Sequence, residues 1–370
     1  MLPLAPVDPE PPAAEASVGR RRGRWRIAII AVVLLASVVV GAALFPVPYV
    51  ALRPGSARPV TDQILVQGAD SFPPDQSIAF TTVSVGSVSL LEALGGWLDD
   101  DVDVLPEDRV RGGRSADENR RYNAELMDTS KLIAIAVAEE HLGQDVQIRT
   151  TGTIVRQIAE DSPAAAVLEV DDVIVEVDGN AVDEPDEIGT LLQPGGPGAS
   201  HELIVERPAG STTHVAVDVM TIAAPDDPTR AIIGIAPEDR IVDFDFPIDV
   251  TIDSGNVGGP SAGLAFTLAV LDVLTPGELT GGYRVAATGT MSLDGAVGPV
   301  GGGAQKAVTV RNAGYDVFLV PSDEVDEVRE AVGDGLRVIA VDSLDEALQA
   351  LASLGGNAES LALPAAGTRA

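Results

Sequence analysis

Two residues in the last third of the chain have the types and settings of a nucleophile and its base. Ser261 lies in Gly255–Leu274, GNVGGPSAGLAFTLAVLDVL, where a glycine-rich loop runs into an apolar segment that reads as a buried helix. Its hydroxyl would stand at the positive end of that helix. Gly259-x-Ser261-x-Gly263 also fits a nucleophile elbow, but that motif needs an acid and then a histidine later in the chain. The histidines, His141, His201 and His214, all precede Ser261, so the base must be of another type. The chain has two lysines, Lys131 and Lys306, against twenty-two arginines. A guanidinium stays protonated in proteins, whereas a desolvated lysine can approach neutrality and accept a proton. Lys306, in GGGAQKAVTVRNAG, has apolar neighbours suited to that desolvation.

The elements around this pair alternate. After a linker at residues 223–229 come strands at 232–235 and 248–252, the Ser261 loop and helix, and a strand at 284–289. The glycine loop and Lys306 helix follow, then a strand at 317–320, a helix at 324–332, a strand at 337–341 and a helix at 344–354. This order predicts an α/β domain. Residues 145–224 instead show short alternating strands. Val173, Val175 and Val177 face one way and Ile174, Glu176 and Asp178 the other, with a turn at Asp178-Gly179-Asn180, a hairpin at Pro208-Ala209-Gly210 and a short helix over 184–192.

The N-terminal part reads differently again. Residues 1–26 form a Pro- and Ala-rich tail ending in RRRGRWR, expected to be disordered and cytoplasmic. Residues 27–45 carry no charge and would span about 30 Å of hydrocarbon as a helix. The basic flank predicts a signal-anchor with everything after Phe45 exported; a cleaved signal peptide, with small residues at Gly41-Ala42-Ala43, is the alternative. Residues 46–144 are a membrane-proximal region assigned no chemistry. They contain a strand near 78–88, a polar loop over 99–121 and a helix over 126–142 bearing Lys131 as a solvated charge. Residues 356–370 read as a flexible tail.

Composition narrows the function classes. A net charge of −32 argues against a nucleic-acid partner, which would require a basic face. The absence of cysteine removes thiolate nucleophiles, disulfides and thiolate metal sites. No histidine pair has zinc-protease spacing, and no lysine lies in a G-K-[ST] context, so neither a metal, a cofactor nor a P-loop ATPase is expected.

Two resemblances gather these features. SPAAAVLEVDDVIVEVDGNAV, with Ser162-Pro163-Ala164-Ala165 and Asp172-Val173-Ile174, resembles a PDZ domain of the bacterial, protease-associated type. Asp171 stands where that family usually has glycine, and no glycine-hydrophobic carboxylate loop precedes the stretch. GPSAG at 259–263, ATGTMSLDGAVGPVGGGAQK at 287–306, AGYDVFLVP at 313–321 and the forty-five residues from Ser261 to Lys306 are similar to the proteolytic domain of Lon proteases. The expected fold is thus an α/β (α+β) Lon-type domain over residues 228–355, preceded by a mostly-β PDZ domain and a single transmembrane helix.

The resemblance implies Ser261 as nucleophile, Lys306 as general base and Thr288 orienting the lysine, with the Gly259-Pro260 and Gly263 loop building the oxyanion site. Gly258 departs from the acid usual there in cytoplasmic Lon enzymes. The implied protein is an ATP-independent, membrane-tethered bacterial endopeptidase that assembles as a homo-oligomer, with a hexameric ring as the expectation from resemblance. It would cut unfolded or delivered proteins, and the PDZ domain would recruit or gate peptides. An inactive scaffold and an esterase or amidase are the competing readings.

Overall fold

The computed structural model describes residues 18–207, 213–361 and 363; the side chains of residues 18–24, 27, 28 and 359 lie outside that description, as do the expected hairpin at 208–210 and most of both tails. In chain order the elements are α1 (Val18–Leu44), β1 (Pro46–Pro59), β2 (Ile64–Gln67), β3 (Ala79–Ser89), α2 (Leu90–Gly96), β4 (Asp103–Pro106), α3 (Glu107–Arg111) and α4 (Ala116–His141). There follow β5 (Gln147–Ile158), β6 (Val173–Val177), β7 (Asn180–Ala181), α5 (Pro185–Leu191), β8 (Ser200–Glu206), β9 (His214–Met220), β10 (Ile222–Ala223), β11 (Ala231–Ile232) and β12 (Ile235–Asp245). The last group is β13 (Asp249–Ile252), α6 (Gly263–Leu274), β14 (Val285–Ala287), β15 (Thr290–Met291), β16 (Val297–Gly298), α7 (Gly303–Asn312), β17 (Val317–Val320), α8 (Val325–Val332), β18 (Arg337–Ala340) and α9 (Leu344–Ser353).

Pairing shows that the first and last groups are one folding unit. A mixed sheet runs in the order β18-β17-β14-β3-β1-β4, with Ala286 and Ala287 of β14 in parallel register with Ala79 and Phe80 of β3. A second pairing joins β2 to β13, Ile64 opposite Ile252. One core includes Val60, Phe80, Met127 and Ile135 together with Leu264, Phe266, Leu271 and Leu348, and the rings of Phe80 and Phe266 meet at 5.5 Å. Residues 46–144 are therefore not a separate membrane-proximal unit: they supply four strands and the helix α4, and their main apolar faces share one core with residues from Phe246 onward.

The middle group is an insertion with its own sheet, β12-β5-β6-β8-β9 with β7 beside β6, and its own core of Val155, Leu168, Ile174, Val177, Ile188, Leu203 and Val205. The PDZ-like unit thus interrupts the α/β unit rather than preceding it. It also extends beyond residue 224, because Ile222–Ala223 pairs with Ala231–Ile232 and β12 pairs along β5, Ile235 opposite Ile158 and Asp245 opposite Gln147. A register irregularity between Ile174 and Glu176 breaks the expected alternation and turns both Ile174 and Val177 into the core.

The helix expected over 126–142 begins ten residues earlier, at Ala116, capped by Ser115 and Glu118 in a reciprocal capping box. Lys131 on this helix is not a free solvated charge; it pairs with Asp128 at 3.0 Å. Among the described residues no helix is long and apolar enough to cross a membrane. Within α1 the described side chains include the exposed Ile29, Leu34, Val38 and Leu44.

Candidate active site

The Ser261 loop is built on three supports. Every residue of α6 is buried, and Ser261 lies two residues before it, where the helix N-terminus faces the loop. Behind the loop, Gly289 N–H donates to the Ser261 carbonyl at 3.0 Å and Leu264 N–H to Gly289 O at 3.2 Å. Gly263 must be glycine, since a Cβ there would come within 2.7 Å of Met291 N. The third support is α4: the Asn123 carbonyl accepts the Gly259 N–H at 2.7 Å, and Ser130 Oγ donates to the Pro260 carbonyl at 3.1 Å. Gly259 takes φ 91, a conformation suited to glycine. A Cβ on Gly258 would lie 2.9 Å from that of Asn123, so the side chain an acid would need is displaced by α4.

Lys306 reaches the same place from α7. That helix starts at a left-handed glycine, Gly302, with φ 71, which lets the loop turn sharply before the lysine. Lys306 is 2 % exposed, and its Nζ donates to Thr288 Oγ1 at 3.2 Å. Thr288, wholly buried, donates a hydrogen bond from its own hydroxyl to the Ser261 carbonyl at 3.1 Å. Thr288 therefore links the lysine to the backbone of the serine. Among the described residues no hydrogen bond joins Lys306 Nζ directly to Ser261 Oγ, and no carboxylate forms an ion pair with Lys306. Burial pushes the ammonium down to about 8, opposed by the charge of Glu324.

Glu324 is a site residue that the sequence reading passed over. It is 7 % exposed, accepts the Val300 N–H in the glycine loop before α7, and has a buried Oε2 without a partner. Burial raises its carboxyl, while the Val300 hydrogen bond and Lys306 pull it down. A lone glutamate after a proline carries no local signal. Asn123 and Ser130 were missed for a different reason: they contribute through a helix whose N-terminal half looks polar, although Ser115-x-x-Glu118 announces its start.

Comparison with known proteins finds both units, with the Lon-type match beginning inside β12. Residues 238–353 match the Lon protease (S16) C-terminal proteolytic domain, and residues 154–207 match a PDZ domain. The chain is 36 % identical over 118 residues to the Lon protease of Clostridioides difficile and 32 % identical over 120 residues to Lon protease 1 of Bacillus subtilis. These alignments cover 30 % and 32 % of this chain, and the chain spans only 15 % of the length of each relative. The PDZ domain of an SdrC-like protein from Listeria monocytogenes aligns at 24 % identity and TM-score 0.22 over 25 % of this chain and 92 % of its own. The chain thus matches a PDZ domain in one segment and the C-terminal proteolytic domain of the Lon proteases in another.

Proposed function

We propose that the chain is a serine endopeptidase that works without ATP, with Ser261 as nucleophile and Lys306 as general base. The observation that carries this is the buried, unpaired Lys306 held by Thr288 against the Ser261 backbone. A neutral Nζ removes the proton from Ser261 Oγ as the oxygen attacks the scissile carbonyl. The tetrahedral oxyanion is met by the Ser261 N–H, at the Gly259–Gly263 loop, a kind of donor typically worth ~3 kcal/mol. The proton then passes from Lys306 to the leaving amine, and water repeats the sequence on the acyl-enzyme.

The PDZ domain supports a recruiting role because β12 is at the end of its sheet, where an extended peptide could add as a further strand. The charge-free run over residues 27–45, with the basic run before it, supports a tether that holds both domains outside a bacterial cell membrane. Assembly into a homo-oligomeric ring belongs to the same reading. The deciding experiment compares the full chain with its Ser261→Ala and Lys306→Ala variants on an unfolded protein without ATP. Loss of cleavage in both variants supports the dyad, no cleavage even by the native chain establishes an inactive scaffold, cleavage by Ser261→Ala points to another nucleophile, and cleavage surviving only in Lys306→Ala points to a hydrolase of another class. Retention of the full chain in carbonate-washed membranes tests the tether.

A further inference from the structure

The residue that replaces glycine in the PDZ turn has a defined job. Asp171 takes φ 71, a backbone conformation in which glycine is easy and an L side chain is disfavoured. Its Oδ2 accepts Arg114 Nη2 at 2.7 Å and its Oδ1 accepts Arg156 Nη1 at 3.0 Å. Arg114 comes from the other domain, just ahead of α4, and its guanidinium lies 3.9 Å over the ring centroid of Tyr122. The next residue is Asn123, whose carbonyl holds the Gly259 N–H, and two turns further along Ser130 holds the Pro260 carbonyl. Two of the residues leading into Ser261 therefore hang on α4, and the first turns of α4 hang on Asp171.

We propose that Asp171 is a positioning residue for the proteolytic reaction: through Arg114 and Tyr122 it fixes α4, and through Asn123 and Ser130 it sets the Ser261 loop. The inference rests on Ser261 being the nucleophile. The same carboxylate reaches the open edge of the PDZ sheet, because Arg156 also donates to Glu238 on β12 at 2.9 and 3.2 Å. The turnover of Ser261 is thereby tied to the PDZ domain. Displacing a reacting group by about 1 Å can cost up to 10²-fold in rate, so slackening this path acts on kcat.

The test is Asp171→Gly in the full chain, since glycine suits φ 71 and keeps the turn. The thermal midpoint should hold or rise. The kcat on an unfolded protein should fall about tenfold with KM within twofold, and acylation of Ser261 by a serine-directed probe should slow by the same factor. Arg114→Gln, which leaves the PDZ turn untouched, should reproduce the loss. Sodium chloride at about 1 M should lower kcat of the native chain and not of Asp171→Gly, because the link is a partly solvated set of charges. Native kcat in Asp171→Gly or in Arg114→Gln, with Ser261→Ala dead, overturns the inference and leaves the nucleophile assignment standing. Undiminished cleavage by Ser261→Ala overturns both.

Discussion

The PDZ domain and the proteolytic unit treat charge in opposite ways. In the PDZ domain the buried Asp172 accepts Arg207 Nε at 2.7 Å and is bridged by a second nitrogen of the same guanidinium. In the proteolytic unit Lys306, Glu324, Glu139 and Asp272 are each under a tenth exposed, and none makes an ion pair among the described residues. Burial raises Glu139 and Asp272 to about 7 and lowers Lys306 to about 8. A paired charge is kept and fixes geometry, whereas a buried charge with no partner is given up near neutral pH. For Lys306 that surrender would supply the base of the proposed mechanism, and for the two carboxylates it costs stability.

The largest effect should come from restoring a permanent charge to the unpaired side. Lys306→Arg places an undeprotonatable guanidinium in the pocket, and peptide hydrolysis should fall at least ~10³-fold; turnover within tenfold of the native chain would end the general-base assignment. Removing a partner on the paired side should come next. Arg207→Met strands the Asp172 carboxylate, destabilising the PDZ domain by about 3 kcal/mol, read as faster amide exchange in β6 and β8 of the full chain.

Neutralising an unpaired carboxylate should act in the other direction. Glu139 titrates higher in the folded chain than in the unfolded one, so the folded state binds more protons between about 4.5 and 7 and loses stability as pH rises through that window. Glu139→Gln should therefore stabilise the chain by on the order of 1 kcal/mol at pH 8 and leave it unchanged or weaker at pH 4. A lower thermal midpoint for the variant at pH 8 would contradict this. The smallest effect concerns the rate profile. Activity should climb with pH as Lys306 loses its proton and level off above about 8. Glu324→Gln, which removes the carboxylate that favours the ammonium, should move that rise to lower pH by a fraction of a unit; a shift to higher pH would mean that Glu324 does not act on the lysine through charge.

Much of the site could be read from local chemistry. Ser261 and Lys306 stand out by residue type and motif, and α6 by its unbroken apolar run. What escaped reading depends on contacts distant in sequence. Nothing local in Ala79–Ser89 says that it will lie beside Val285–Ala287, because that pairing spans the whole insertion. β12 was hidden by Pro237 and by repeated register irregularities along β5, which blur the period of two. Gly258 looked like a defect until α4 occupied the space, and Asp171 looked like a departure until Arg114 arrived from the other domain.

The insertion also governs when the candidate site can come into being. Ile64 must wait for Ile252, and Ala79 for Ala286, so β1, β3 and β4 can pair only among themselves while the middle of the chain is synthesised. The first and last strands of the PDZ segment lie side by side, Gln147 opposite Asp245, so once that domain folds it closes the long loop itself and delivers β13 close to β2. Closing so long a loop would otherwise fall to the protease strands alone. A nascent chain can therefore complete its PDZ unit first and the α/β unit only after β13 and β14 emerge, which on the proposed reading withholds the Ser261 site until then.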